Sequence, residues 1–329
     1  MKASGPIGRS VAPPNVFNPN ERTSNNFACD VCLPFLLQAQ NADGGWGYRP
    51  RQASATEPTA WCLLALAKAG GAVAALERGR NWLAAAQQAV GSWPTRPETV
   101  QGNWVTALAG LALGAAGGPR EAVARAANWV CGSQSRTGGF RARLGKLLTR
   151  KAVTEQDDSL RGWSWTPGTA GWVEPTSVSL IFLREFAPLE LEASAVERRR
   201  MGEAMLYNRM CPGGGWNTGN PKVYGVPGIP QPGPTAWALL ALAGQPGRDE
   251  IRRSLDWLAR NYDSIAGVSS LALGRIALQA SGRQPPRLEP RLATLFAADG
   301  FLDDVTAFAQ ATFALGEGPD VLRAARATG

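Results

Sequence analysis

The chain has 329 residues, of which 44% are hydrophobic and 18% charged, with a formal net charge of +8; this composition indicates a protein with a large core. It contains no histidine, which excludes Ser–His–Asp catalysis and any acid–base chemistry that needs an imidazole. The five cysteines lack the regular spacing of a disulfide framework and fit a reducing compartment, and no apolar run reaches the length of a membrane span.

Residues 1–26 are rich in Pro, Asn, Ser and Gly and contain no hydrophobic signal core. We therefore expect a loosely attached N-terminal arm on a cytoplasmic protein. Cys29 and Cys32 follow as a lone CxxC motif at the start of the first predicted helix. Because a zinc site needs further ligands and the chain has no histidine, we predict two half-buried thiols here, with no metal and no cofactor.

A turn of the form Gln–x–x–x–Gly–x–aromatic then recurs along the chain. Its copies are Gln40–Trp46, Gln87–Trp93 and Gln134–Phe140, each 47 residues after the last, and a worn copy ends at Trp216. A fixed period of this length indicates one supersecondary unit that has been copied.

Each unit predicts two helices, an amphipathic one before the turn and one after it that is apolar on every side and therefore buried. Proline is favoured as the first helical residue, so Pro58, Pro175 and Pro234 predict the starts of buried helices. The six candidate inner helices, each with an outer partner before it, are Pro58–Ala69, Asn103–Ala115, Pro175–Phe186, Pro234–Gly244, Gly267–Ala280 and Asp304–Leu315.

Twelve helices in six pairs predict an all-α fold, an α6/α6 toroid. We expect it to span residues 27–317 as one domain, with an insertion loop at about 141–173 and a C-terminal tail at 318–329. An open superhelix is the alternative, but such arrays carry polar capping repeats that this sequence lacks.

The QxxxGxW turns ahead of paired helices resemble the repeats of squalene-hopene cyclases, oxidosqualene cyclases and protein prenyltransferase β subunits. The resemblance covers nearly everything outside the two tails and implies the toroid fold. It implies less about chemistry, because function resides in sites rather than in folds. Protein prenyltransferases of this fold bind zinc through Asp, Cys and His, a ligand set that a chain without histidine cannot reproduce.

The resemblance also suggests a catalytic acid. In the cyclases the catalytic Asp lies in a DxDDTA or VSDCTA string that opens an inner helix. Alignment on Thr–Ala places Asp304 on the proton donor, with Asp303 beside it, although Leu302 and Val305 depart from the bacterial pattern. An Asp before a helix is also an ordinary N-cap, and the helix dipole there favours its anion, so a purely structural role for Asp304 stays open.

The same alignment places Glu57 and Glu174 at the equivalent position of two other repeats. Pseudo-symmetry then predicts that these carboxylates and Asp304 surround one mouth of the toroid, unless the glutamates serve in structural salt bridges. A second near-match to the acid motif, Asp157–Asp158, lies in the third repeat's link, where it could fold over that mouth.

Aromatic side chains near this mouth could stabilise a carbocation through their π faces. Trp163, Trp165 and Trp172 fall in the insertion, where they either form such a wall or plug the end of the toroid as core. The full set of candidate substrate-binding residues is Trp61, Trp104, Trp163, Trp165, Trp172, Tyr224, Trp237 and Phe308.

Three function classes follow. The first is a class II terpene cyclase, which starts cyclisation of an apolar isoprenoid by protonation. The second is a noncatalytic toroid that binds an isoprenoid or a protein, and the third is a carbohydrate-active enzyme that uses paired carboxylates. The sequence has no nucleic-acid-binding motif, so we predict no nucleic-acid partner, and solubility or peripheral contact with an anionic membrane explains the basic charge. The oligomeric state stays open.

Overall fold

A computed structural model describes residues 26–135, 156–157, 159–245, 248–285, 287–318 and 320–322. These residues form twelve α-helices and one two-stranded hairpin, which confirms the all-α fold class. The helices are α1 (Leu33–Ala39, after a π-helical turn at Ala28–Cys32), α2 (Thr56–Ala69), α3 (Val73–Ala85), α4 (Val105–Ala115), α5 (Arg120–Gly132), α6 (Val173–Phe186), α7 (Glu192–Asn208), α8 (Pro232–Ala241), α9 (Asp249–Asn261), α10 (Val268–Ala280), α11 (Leu288–Asp299) and α12 (Val305–Leu315).

The even-numbered helices form an inner ring. Each packs against the next in chain order, and α12 returns to α2, so the ring closes. The odd-numbered helices pack around it, and their amphipathic sequences fit that place: α9 buries Ile251, Leu255 and Leu258 and exposes its charged face. The predicted toroid is therefore confirmed. No helix in the described ranges is both long and apolar enough to span a bilayer.

The prolines lie inside the first turns rather than at the first helical residues. Pro58, Pro175 and Pro234 each occupy the third helical position, because α2, α6 and α8 begin at Thr56, Val173 and Pro232. The first four backbone N–H groups of a helix have no intrahelical acceptor, so proline at the third position removes no hydrogen bond.

Four tryptophans join the two layers, and we call them the turn tryptophans. The indole N–H of each donates to a backbone carbonyl near the end of the preceding outer helix, at 2.7–2.9 Å, and its backbone N–H donates to a threonine hydroxyl in the following inner helix, at 2.9–3.0 Å. The pairs are Trp46 with Thr59, Trp93 with Thr106, Trp163 with Thr176, and Trp216 with Thr235.

Each glutamine of the first two turns bonds to the backbone of its own turn and to the start of the next outer helix, as a structural staple would. Gln87 donates to the carbonyls of Gly91 (3.0 Å) and Ala122 (2.8 Å), and Gln40 makes the same two bonds in its own repeat.

The third turn differs from the prediction. Trp163 takes the turn-tryptophan position that the 47-residue spacing assigned to Phe140, which lies outside the described residues. The Arg198 guanidinium stacks on Trp163 at 4.1 Å and donates to the carbonyls of Ser133 and Gly162, which holds this longer turn together. The insertion thus falls within the turn, between Gln134 and Trp163, rather than after it.

Candidate active site at one mouth of the ring

We call the end of the ring where the inner helices begin the mouth. The links that follow the turn tryptophans cross this end and cap the helix starts. Val305 N–H donates to the Tyr48 carbonyl (3.0 Å), Thr56 N–H to Thr95 (3.0 Å), and Val173 N–H to Thr218 (3.1 Å). The starts of α12, α2 and α6 are therefore each tied by a backbone hydrogen bond to a link of an adjacent repeat, and these links form the rim of the mouth.

Glu57 is the second residue of α2 and stands on this rim. Burial raises the pKa of its carboxyl, and the negative charge of Asp304 raises it further. The Tyr48 hydroxyl donates a 2.8 Å hydrogen bond to the Glu57 Oε2, which favours the carboxylate and offsets part of that rise. Burial, and then the neighbouring Glu57 charge, raises the pKa of Tyr48 as well.

Glu174 holds the same place in α6, as the second helical residue. Burial raises the pKa of its carboxyl, with a smaller contribution from the charge of Glu57. A Cβ added to Gly233, at the start of the next inner helix, would lie 3.2 Å from the Ser270 Oγ and 4.0 Å from a Glu174 carboxyl oxygen. Glycine therefore leaves open the space in front of Glu174.

Asp304 lies near enough to Glu57 to affect its pKa, so the structure brings the three predicted carboxylates to one mouth. Its geometry differs from that of the glutamates. Asp304 is the N-cap of α12 and accepts hydrogen bonds from the backbone N–H groups of Thr306 (2.8 Å) and Ala307 (3.3 Å). Val305 N–H and Thr56 N–H make equivalent bonds, each to a carbonyl two residues after a turn tryptophan. If these two residues are aligned, Thr306 of α12 corresponds to Glu57 of α2. The sequence alignment on Thr–Ala instead paired Asp304 with Glu57, so it differs from the structural alignment by two residues.

Two of the remaining candidate acids, Asp303 and Asp157, lie away from the axis. Asp303 is exposed in the 3₁₀ turn before α12. Asp157 is exposed beside the end of the outer helix α7, where its backbone N–H donates to Asn208 and its carboxylate accepts from Ser159. Asp158 lies outside the described residues.

Trp61 and Trp237 meet on the axis just below the mouth. They come from α2 and α8, which stand opposite each other in the ring, and their ring centroids are 5.9 Å apart. Phe313 of α12 joins them, 6.4 Å from Trp61. Trp61 lies one helical turn beyond Glu57 on the same helix face, so this aromatic cluster forms a floor directly under the carboxyls.

Trp104 and Trp165 make a second aromatic pair in an edge contact at 4.8 Å. Trp104 lines a cavity of about 70 Å³ together with Trp163, Pro167 and Ser179. One water needs roughly 10–15 Å³ of such space, so the cavity has room for a few waters and is too small for a polyene.

Three of the predicted substrate-binding aromatics occupy other places. Phe308 stacks on Phe35 at 3.7 Å and so faces the outer layer, a consequence of the two-residue register difference in α12. Trp163 is buried as a turn tryptophan. Tyr224 is 77% exposed at the tip of the hairpin. Trp172 is the N-cap residue of α6 on the rim, so it stays near the site.

Tyr48 was not predicted from the sequence. It lies in a polar link, and only its two-residue distance from the turn tryptophan Trp46 marks its position on the rim. Across the described part of the chain, no three His, Cys, Asp or Glu side chains gather as metal ligands would.

Comparison with known proteins shows which solved structures share this architecture. No family model and no curated protein matches the chain. Among solved structures, a variant of the type II terpene cyclase MstE from Scytonema in complex with merosterolic acid A is similar, with 15% identity, a TM-score of 0.53, and coverage of 88% of this chain and 95% of that one. A protein from Actinoplanes matches with 18% identity, a TM-score of 0.52, and coverage of 88% and 97%.

A glycosidase variant is also similar, with 10% identity, a TM-score of 0.55, and coverage of 86% of this chain and 94% of that one. At these identities the likeness establishes the fold. The protein is an α/α toroid, the fold of these structures, with two half-buried glutamates at the mouth of its ring.

Proposed function

We propose that the protein binds an isoprenoid at the mouth and starts its cyclisation by protonation, with Glu57 as the acid. The observation that carries this proposal is the stacking order along the axis: a carboxyl with a raised pKa stands one helical turn above the Trp61–Trp237 pair. Protonation of an alkene needs an acid held away from water, and in a chain without histidine a desolvated carboxyl is the best donor.

Glu57 suits the role better than Asp304 does. The Asp304 side chain is engaged as the N-cap of α12, where it accepts hydrogen bonds from the backbone N–H groups of Thr306 and Ala307. Asp304 instead contributes a negative charge that helps to raise the pKa of Glu57.

The proton transfer balances within this site. The Glu57 O–H bond breaks as its proton forms a C–H bond with a terminal alkene carbon, and the positive charge passes to the neighbouring carbon. A second alkene of the substrate attacks that cation and closes the ring, which leaves the positive charge on the far carbon of that alkene. Loss of a proton from an adjacent carbon to the Glu57 carboxylate then gives a neutral cyclic alkene and restores the acid. The Tyr48 hydrogen bond stabilises the carboxylate that remains, and the faces of Trp61 and Trp237 stabilise the cation. Because the tryptophans close the axis, the reacting alkene lies above them, between Glu57 and Glu174.

The length of the chain supports this proposal. The MstE structure, itself a type II terpene cyclase, is covered over 95% of its length by this chain, so a single toroid of this size is enough for such an enzyme.

The test is incubation of wild-type protein, Glu57→Gln and Asp304→Asn with linear polyprenoids, followed by mass spectrometry of the extracts and a binding titration. We expect cyclised product from wild type and about a 10²–10⁴-fold lower rate for Glu57→Gln with binding retained. Equal rates for wild type and Glu57→Gln would refute the role of Glu57. No product from wild type, with ligand still bound, would favour a binding protein, a function that suits a ring whose axis is filled.

A carbohydrate-active enzyme is the second candidate, and the pair of mouth carboxyls together with the similar glycosidase favours it. Glycoside hydrolysis needs one protonated and one ionised carboxyl. Folding raises the pKa of both Glu57 and Glu174, so both carboxyls are shifted toward the protonated form. A proton donor needs such a shift, whereas a glycosidase needs one of its two carboxyls to stay ionised. Release of reducing ends from oligosaccharides by wild type, but not by Glu174→Gln, would establish this alternative.

A further inference from the structure

The loop of residues 217–231 exposes an unusual amount of apolar surface. Eleven large apolar side chains are exposed in the described part of the chain, and four of them lie in one seven-residue stretch of this loop, residues 223–229. They are Val223 (39% exposed), Tyr224 (77%), Val226 (66%) and Ile229 (81%), and we call them the hairpin patch.

The loop holds these side chains outward by its own hydrogen bonds. Its strands β1 (Lys222–Val223) and β2 (Val226–Pro227) pair antiparallel, and Gly228 N–H donates to the Pro221 carbonyl at 2.7 Å. The Asn217 side chain accepts from the N–H groups of Gly219 and Asn220 and donates to the Asn220 carbonyl. The side chains of the patch are therefore exposed because hydrogen bonds within the loop fix its backbone.

The hairpin patch stands beside the mouth. The loop's Thr218 carbonyl caps the start of α6, and its other end leads directly into α8. Ile229 lines a groove of about 430 Å³ that extends to Ser270, and Ser270 adjoins Gly233 in front of Glu174. Apolar surface, groove and carboxyl thus follow one another from the outside of the molecule to the mouth.

We propose that the hairpin patch docks the protein onto the surface of a lipid bilayer, with the mouth facing the lipid. Two-residue strands are too short to pair with a partner's strand, which disfavours protein recognition by strand addition. A tyrosine at the tip suits the boundary between lipid and water, because its ring is apolar and its hydroxyl polar. Lys222 beside the patch and the net charge of +8 favour an anionic surface.

This proposal does not depend on the chemistry at Glu57, and its test contains no isoprenoid. Wild-type protein is sedimented with vesicles of phosphatidylcholine alone and with about one third phosphatidylglycerol, the anionic fraction testing the charge contribution. The variant is Ile229→Asp. Its matched control is Leu189→Asp, since Leu189 is 82% exposed and lies just beyond the end of α6, at the opposite end of the ring from the mouth.

We expect wild type and Leu189→Asp to bind the anionic vesicles alike, and Ile229→Asp to bind them about tenfold or more weakly, as the loss of one inserted aliphatic side chain implies. Tyr224→Ser serves as a second variant if Ile229→Asp folds poorly. Failure of wild type to bind either vesicle, or equal weakening by both aspartates, would overturn the proposal. So would a wild-type dimer in sedimentation velocity that Ile229→Asp makes monomeric, because the patch would then join two copies of the chain.

Discussion

Replacing Thr106 with Val tests whether the turn tryptophans hold the ring together. The Thr106 hydroxyl accepts the Trp93 backbone N–H at 3.0 Å, and both residues are fully buried. Valine has nearly the same volume, so the change leaves the Trp93 N–H without a partner and opens no cavity. The Trp93 carbonyl keeps its bond from Asn103 N–H at 3.2 Å. One buried, unsatisfied N–H costs about 1–3 kcal/mol.

An unfolding entropy of about 2.1 cal/mol/K per residue gives roughly 0.7 kcal/mol/K for a chain of this length, so Tm should fall by about 1.5–4.5 °C. Differential scanning calorimetry measures this. Thr99→Val is the control in the same link, because Thr99 is exposed and its loss should change stability by less than about 0.5 kcal/mol. An unchanged Tm for Thr106→Val, or an equal fall in the control, would show that the threonine bond does not stabilise the ring.

Two further predictions concern the mouth and the turns. Folding raises the pKa of Glu57, so its contribution to stability should be fully present below the unfolded pKa of about 4.3 and be lost as pH rises through the folded pKa. Glu57→Gln should remove that loss from the pH profile measured in denaturant titrations, and an unaltered profile would contradict this. Gln87→Ala should lower stability by roughly 1–3 kcal/mol through loss of the bonds to Gly91, Ala122 and Arg125, while ligand binding stays unchanged. Gln101→Ala, on an exposed side chain, should be neutral in the same unfolding assay.

The two-layered ring could be predicted because the distribution of apolar residues around each helix indicates whether that helix is buried or half-exposed. The sequence of α2 is apolar on every side, and α9 alternates apolar and charged residues at helical spacing, so each could be assigned to its layer. The first residues of the inner helices could not be fixed to better than two positions. Proline is tolerated throughout the first turn, and therefore marks a helix start without specifying it.

The sequence spacing predicts Phe140 as the aromatic residue of the third turn, and this prediction is wrong although the sequence contains the signal for Trp163. Each turn tryptophan precedes its threonine by 13 residues in the first two repeats, and Trp163 precedes Thr176 by the same distance. The spacing between turns instead favoured Phe140, because an insertion inside the turn shifted the tryptophan away from the 47-residue period. A spacing enforced by a hydrogen bond is thus a better guide here than the distance between copies.

The register of α12 shows what a short motif leaves undetermined. Thr–Ala occurs in both α2 and α12, but the backbone bond from Val305 to Tyr48 sets α12 two residues away from the motif alignment. Asp304 then becomes a cap, and Phe308 turns toward α1. A contact between the last repeat and the first closes the ring, and no local sequence pattern specifies it.

The second helical position of the inner helices varies from repeat to repeat, unlike the residues that hold the ring together. The turn tryptophans and their threonines repeat because they carry the fold, whereas this position is Glu57 in α2, Glu174 in α6, Gly233 in α8 and Thr306 in α12. Glycine and threonine show that the ring accepts neutral residues there. Burial raises the pKa of both glutamates, so each ionised form costs stability that a neutral residue would not. Two such acids stand at one mouth above an aromatic floor, and Tyr48 bonds one of them, Glu57; the proposed protonation of a ligand needs this arrangement, and the fold does not.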